Sequence, residues 1–178
     1  LAVHGCGGVG LSAVMIAAAM GVNVVAVDID DATLAMASRA GAAATVNATR
    51  SHNVPEDIVE MTGGGAHASM DALGSTVTCQ NSILCLRPLG RHIQVGLMKD
   101  RHEHPKIPMG VVVAKEIDIR GSRGMSPKNY PAIFSMIKSG VVAPKSLIGS
   151  ELTLEEGAEL LTSMDQFPGT GVAVITSF

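Results

Sequence analysis

The chain has 178 residues, enough for one domain with a real hydrophobic core. Hydrophobic residues make up 47% of it and aromatics only 2%, so the core must be built from Ala, Val, Ile, Leu and Met, which suit a parallel sheet closely covered by helices. A formal charge of -3 with scattered Lys and Arg excludes the basic stripe that nucleic acid requires, and apolar runs such as Leu11 to Met20 fall short of the roughly 20 residues of a bilayer span, so neither nucleic acid nor a membrane is an expected partner.

Leu1 to His4 is a short apolar strand, followed by a glycine loop and a small-residue helix over Val9 to Met20. Asn23 to Val27 is β-branched and ends in Asp28. Asp30 or Asp31 can cap a second helix that reaches Ala40, with Gly41 as its stop, and Ala44 to Val46 reads as a third strand. The second half repeats the rhythm: a helix at Pro55 to Met61, a glycine turn at Gly63 to Gly65, a strand at Ala68 to Ala72 and a helix at Val77 to Leu86. A turn at Pro88 to Gly90 leads to a strand at His92 to Val95, a polar loop at Lys99 to Pro105, a short helix at Gly110 to Ala114 and a sixth strand at Ile117 to Arg120. Six strands in two such halves, joined by right-handed crossovers, predict a doubly wound Rossmann-type α/β sheet in the order 3-2-1-4-5-6.

Residues 1–122 would form this dinucleotide-binding domain. Beyond it the sequence predicts a helix at Pro131 to Lys138, an extended piece at Leu147 to Leu152, a helix at Leu154 to Met164 and a strand at Gly171 to Thr176. These exceed what the sheet needs, and residues 123–178 are expected to pack on a second domain outside this sequence. Leu1 opens directly into a strand, so the sequence reads as a piece of something longer. The three cysteines, Cys6, Cys79 and Cys85, are odd in number and fall in regular segments, which argues against a disulfide framework and for a reducing, cytoplasmic setting.

The strongest chemical signal is the loop Gly5-Cys6-Gly7-Gly8-Val9-Gly10, a G-x-G-x-x-G pattern between strand and helix. Gly5 permits the tight turn, Gly7 lets the backbone approach a pyrophosphate, and Gly10 lets the helix pack on the strand. Asp28 lies 18 residues after Gly10 at the end of the second strand, where a carboxylate accepts the two adenosine ribose hydroxyls and repels a 2′-phosphate. The cofactor expected is therefore NAD rather than NADP. A short-chain dehydrogenase would need Tyr with Lys four residues on, but Tyr130 is followed by Phe134, and a methyltransferase would space its glycines differently.

With these stretches the chain resembles the zinc-dependent medium-chain alcohol dehydrogenases. The resemblance is carried by Gly5 to Leu11, Val27-Asp28-Ile29-Asp30, Asp71-Ala72-Leu73-Gly74, Leu86 to Arg91, Val95-Gly96-Leu97 and Lys115 to Ser122. It implies that Gly7, Gly8 and Val9 offer backbone N–H groups to the pyrophosphate, that Asp28 holds the ribose and that Ile29 packs on adenine. Leu73 and Gly74 would lie by the nicotinamide ribose, Gly96 and Leu97 by the nicotinamide, with Ser122 and Arg123 close by. Two departures stand out: Thr33 replaces an expected basic residue, and Val172 replaces an expected arginine.

The resemblance further implies an alcohol or carbonyl substrate, and a zinc held by Cys, His and a third ligand upstream of the glycine loop. No residue in this sequence is expected to be catalytic or to bind metal. Cys79 and Cys85, six apart on a predicted helix, point about 240° apart, and His102 and His104 flank Glu103 in a charged, solvated loop. His4, His67 and His92 read as packed strand residues, and Cys6 as packed beneath the loop. The sixth strand should be a sheet edge that meets its twin in a homodimer. Two other readings remain. A zinc-free quinone reductase branch using NADPH is disfavoured by Asp28. A non-catalytic NAD-sensing domain is disfavoured by the more than fifty residues after the sixth strand.

Overall fold

The computed structural model describes residues 1–166 and 169–178. Its first sheet has six parallel strands in the order β3-β2-β1-β4-β5-β6: β1 (Ala2–His4), β2 (Val25–Asp28), β3 (Ala44–Asn47), β4 (Ala66–Asp71), β5 (Leu86–Gln94) and β6 (Asp118–Gly121). The doubly wound order expected from the alternating elements is the one found. It places the topological switch between β1 and β4, where the crossovers part to opposite sides and leave a crevice at the carboxyl ends of the strands.

Five helices cover the sheet: α1 (Gly8–Ala19), α2 (Asp31–Arg39), α3 (Val54–Met61), α4 (Thr76–Leu84) and α5 (Met109–Ala114). Their ends follow local chemistry. Asp30 caps α2 by accepting the Thr33 N–H at 2.7 Å, and Gly41 turns the chain away at φ +108°. Asn53 caps α3, with Pro55 in its first turn, and Ser75 forms a capping box with Thr78 on α4.

Because β-strand side chains alternate, the sheet has two cores. On one face Val3, Leu11, Val14, Val24, Ala26 and Ala37 pack beneath α1 and α2. On the other, Ala2, Val25, Val27, Ile58, Ile83 and Leu86 pack beneath α3 and α4.

The expected turn at Pro88 to Gly90 is instead a bulge inside β5. Leu86 pairs with Ala66 and Arg91 with Ala68, so the four residues 87–90 stand opposite the single residue His67. Leu89 at the tip has φ +60° and donates its N–H to the Lys115 carbonyl at 2.7 Å, an anchor that sequence spacing does not reveal. The predicted α4 also ends earlier, at Leu84, because Leu86 already belongs to β5.

Past β6 come α6 (Tyr130–Lys138), β7 (Ile148–Thr153), α7 (Leu154–Thr162) and β8 (Val172–Ser177). β7 and β8 pair in parallel as a separate two-stranded sheet, joined through α7. Part of this segment packs on α1: Val142 and Leu147 are buried in the cluster with Leu11 and Val14. Its outer surface shows Phe134, Leu161 and Phe178 to solvent. Among the described residues no helix is long and apolar enough to cross a membrane.

Candidate dinucleotide site

Every element that could meet a ligand at the switch point ends on the same edge of the sheet. After β1, Gly5 turns the chain at φ +86°, a conformation that glycine adopts without a Cβ penalty. Its N–H donates to the Val27 carbonyl at 2.8 Å, which ties the turn to β2. α1 then approaches so closely that a Cβ at Gly10 would overlap the Gly5 carbonyl oxygen. Gly7 is the N-cap of α1 and supplies no side-chain acceptor, and the first turn carries no acidic residue. The N–H groups that open the helix, aligned with its dipole, thus face an open space around Gly7 that suits an anion. Val9 on this first turn is exposed.

Asp28 closes the turn from the side. Its carboxylate accepts the Cys6 N–H at 2.7 Å through one oxygen, and the Ile29 N–H at 2.7 Å through the other. Ile29 is exposed beside it. Cys6 packs beneath the loop with no exposure, and burial together with Asp28 pushes its thiol up to about 12.

Thr33, where the family resemblance leads one to expect a cation, is buried in the first turn of α2. A cation sequence reasoning missed reaches this end by another route. Asn47 lies level with Asp28 in the sheet, and Arg50, three residues on, pairs with Asp31, which also accepts the Asn47 amide at 2.7 Å. Val172 is placed against Gly8, its Cγ2 3.3 Å from where a Cβ on that glycine would stand.

On the far side of the switch point the loops after β4 and β5 meet. A Cβ on Gly74 would overlap the Leu97 carbonyl, and one on Gly96 would overlap Gly74. Gly5 is close as well, since a Cβ there would be 3.0 Å from the Leu73 Cβ. Leu73 and Leu97 are exposed on this platform. Ser122 joins it through a 2.9 Å bond from its N–H to the Gln94 carbonyl, and Arg123 follows, exposed. Gly5, Gly7, Gly8, Val9, Gly10, Asp28, Ile29, Leu73, Gly74, Gly96, Leu97 and Ser122 therefore share one edge.

The histidines divide. His4 and His92 are buried as expected, whereas His67 points outward and meets Arg87 at 2.6 Å. Burial drives the His4 imidazole down to about 3, helped by His92, and lowers His92 as well. His4 Nε2 lies 3.7 Å from the Cys85 thiol, while its Nδ1 has no partner. His102 is not simply solvated: its Nδ1 accepts the Thr76 N–H at 3.1 Å and so docks the polar loop onto the start of α4. Burial also raises Cys79 to about 11 and Cys85 to about 12, so neither is a ready thiolate. Among the described residues no group of three or more His, Cys, Asp or Glu side chains is arranged to hold a metal.

The sequence profile of the zinc-binding dehydrogenases matches residues 8–139. An alcohol dehydrogenase of Moraxella sp. (strain TAE123) is 30% identical over 159 residues, covering 89% of this chain and 38% of its own. An NAD-dependent alcohol dehydrogenase of Sulfurisphaera tokodaii is 29% identical over 171 residues, covering 95% of this chain and 48% of its own. A crystal structure of an NAD-dependent alcohol dehydrogenase superposes with a TM-score of 0.88 at 26% identity, over 99% of this chain and 50% of that one. The chain thus spans about half the length of the relatives it matches, or less, and it belongs to the zinc-binding dehydrogenase family.

Proposed function

We propose that the chain is the NAD(H)-binding half of a zinc-type alcohol dehydrogenase, an enzyme that interconverts an alcohol and a carbonyl compound. The observation that carries this reading is the Asp28 carboxylate held at 2.7 Å on the Cys6 N–H, beside an uncapped helix start. That arrangement offers an anion site and a ribose acceptor a few ångströms apart on one edge. NAD fits it: Gly7, Gly8 and Val9 would hold the pyrophosphate, Asp28 the adenosine ribose and Ile29 the adenine. Leu73, Gly74, Gly96, Leu97, Ser122 and Arg123 would receive the nicotinamide end. When bound, NAD supplies the two-electron acceptor, and these residues hold and orient it. The dependence on NAD of the Sulfurisphaera tokodaii relative supports the same cofactor.

The described residues do not offer the ligand set of a catalytic zinc, and no step through zinc is assigned to them. In our reading the metal, the substrate pocket and the catalytic residues belong to the half of the enzyme outside this sequence, against which residues 123–178 would pack. The chain alone is expected to bind cofactor without oxidising alcohols. β6 ends the sheet, with Ile119 exposed, and the assembly we propose is a cytoplasmic homodimer formed through that edge.

The experiment is a calorimetric titration of the 178-residue chain with NAD and with NADP. A phosphate dianion beside Asp28 should weaken NADP by about ten- to hundredfold. NADP binding as tightly as NAD would contradict the reading, as would alcohol-dependent reduction of NAD by the chain in the presence of a chelator.

A further inference from the structure

Asp71 is the last residue of β4 and has no exposure at all, and its carboxylate is spent on the ends of the strands and the loops beyond them. One carboxylate oxygen accepts the N–H groups of Leu73 and Gly74, both at 2.9 Å. The other accepts Gln94 Nε2 at 2.9 Å, and the same Gln94 nitrogen donates to the Gly96 carbonyl at 2.9 Å. The Asp71 main-chain carbonyl takes the N–H groups of Val95 at 3.0 Å and Gly96 at 2.8 Å. A single residue thereby fixes both loops of the platform beyond the switch point. Three N–H donors converge on the side chain, and only an acceptor-only group satisfies all of them.

The clamp is backed from within the core. Asp71 and Gln94 are neighbours in the register of β4 and β5, and His92 pairs with Ser69 one step back on the same face. Ser82 Oγ lies 2.9 Å from His92 Nδ1, and His92 Nε2 lies 3.2 Å from Gln94 Oε1. With the Ser82 hydroxyl donating to Nδ1, the histidine donates from Nε2 to Gln94, whose amide group is then held with its nitrogen toward Asp71.

We infer that Asp71, with Gln94 behind it, is a positioning residue for the nicotinamide end of the cofactor. It shapes the Leu73–Gly74 and Gly96–Leu97 platform and leaves the adenosine end untouched, because Asp28 lies on β2, two strands and roughly 10 Å away. This rests on the NAD-binding reading above.

The test uses the 178-residue chain with AMP, which reaches only the adenosine end, and NAD, which reaches both. The parent should bind NAD more tightly than AMP. In Asp71→Asn and Gln94→Met, AMP affinity should stay within about twofold while NAD affinity falls roughly tenfold, the loss of one charge-assisted bond. Amide exchange at Leu73 and Gly74 should quicken in both. Should Asp71→Asn not fold, Gln94→Met carries the comparison alone. NAD and AMP weakening together, or NAD unchanged in a variant that still binds AMP, overturns the clamp and spares the NAD reading. A parent that binds NAD no better than AMP overturns the clamp as well, and one that binds neither overturns both.

Discussion

Under α1 and α2 the sheet buries Val3, Leu11, Val14, Ala26 and Ala37, with Cys6 and Met15. On the opposite face of the sheet, beside the apolar cluster of Val25, Ile58, Ile83 and Leu86, it buries His4, Ser69, Asp71 and His92 in a band across β1, β4 and β5, with Ser82 above them. The first face is held mainly by dispersion and water exclusion, and its worth lies in close packing. The second has spent apolar area on hydrogen bonds, each of which contributes little net stability but fixes where a donor points. Both faces hold the fold through their apolar clusters, and the polar band on the second also carries position outward to the loops at the carboxyl ends of the strands.

The sharpest way to break the packed face is Gly10→Ala, which forces a methyl group into the Gly5 carbonyl. Helix and strand would have to part, at a cost of about 3 kcal/mol or more. Urea unfolding should show a lower midpoint, and NAD binding should be lost with the turn. Leu11→Ala on the same face removes a fully buried side chain and should cost about 3 kcal/mol through lost transfer energy and the cavity left behind.

The polar face should respond to pH instead. His4 is depressed from 6.5 to about 3 in the fold, so the unfolded chain takes up the proton first. Its stability contribution is therefore intact above pH 6.5 and is lost as pH falls toward about 3, with a slope of about 1.4 kcal/mol per pH unit. His92 is shifted in the same direction. Unfolding measured at neutral and acid pH should show this slope, and His4→Asn should flatten it by one proton. Ser82→Ala is the mildest test. It leaves His92 Nδ1 without its 2.9 Å partner and should cost about 1 kcal/mol, well below Leu11→Ala. Equal losses at Ser82 and Leu11 would erase the distinction between the faces.

Much of the first face is written locally. The six strands and the turn at Gly5 were legible from short apolar and β-branched runs between local signals such as a capping Asp30 and a stopping Gly41, and the strand order followed from the handedness of crossovers. What escaped depends on contacts between distant segments. Leu89 is held by Lys115, which turns an expected β-turn into a bulge. His102 docks on Thr76, 26 residues earlier. β7 and β8 pair with each other, although the sequence shows only an extended piece and a strand with no sign that they are partners. Asp71 and Gln94 lie 23 residues apart, and their bond exists only because β4 and β5 place them in register. Asp71 was visible within a familiar stretch, but its role was not, since nothing local says that three donors converge on it.

We propose that the carboxyl edge of the sheet, held by the two packed cores and shaped by the polar band, receives NAD. Chemical-shift mapping of backbone amides in the 178-residue chain as NAD is added tests it most directly. Shifts are expected at Gly7, Gly8, Val9 and Ile29 on one side of the switch point and at Leu73, Gly74, Gly96 and Leu97 on the other, with Leu161 and Phe178 unmoved. Shifts confined to the pocket one turn along α1, lined by Ser12, Lys145, Leu147 and Val174, would contradict it.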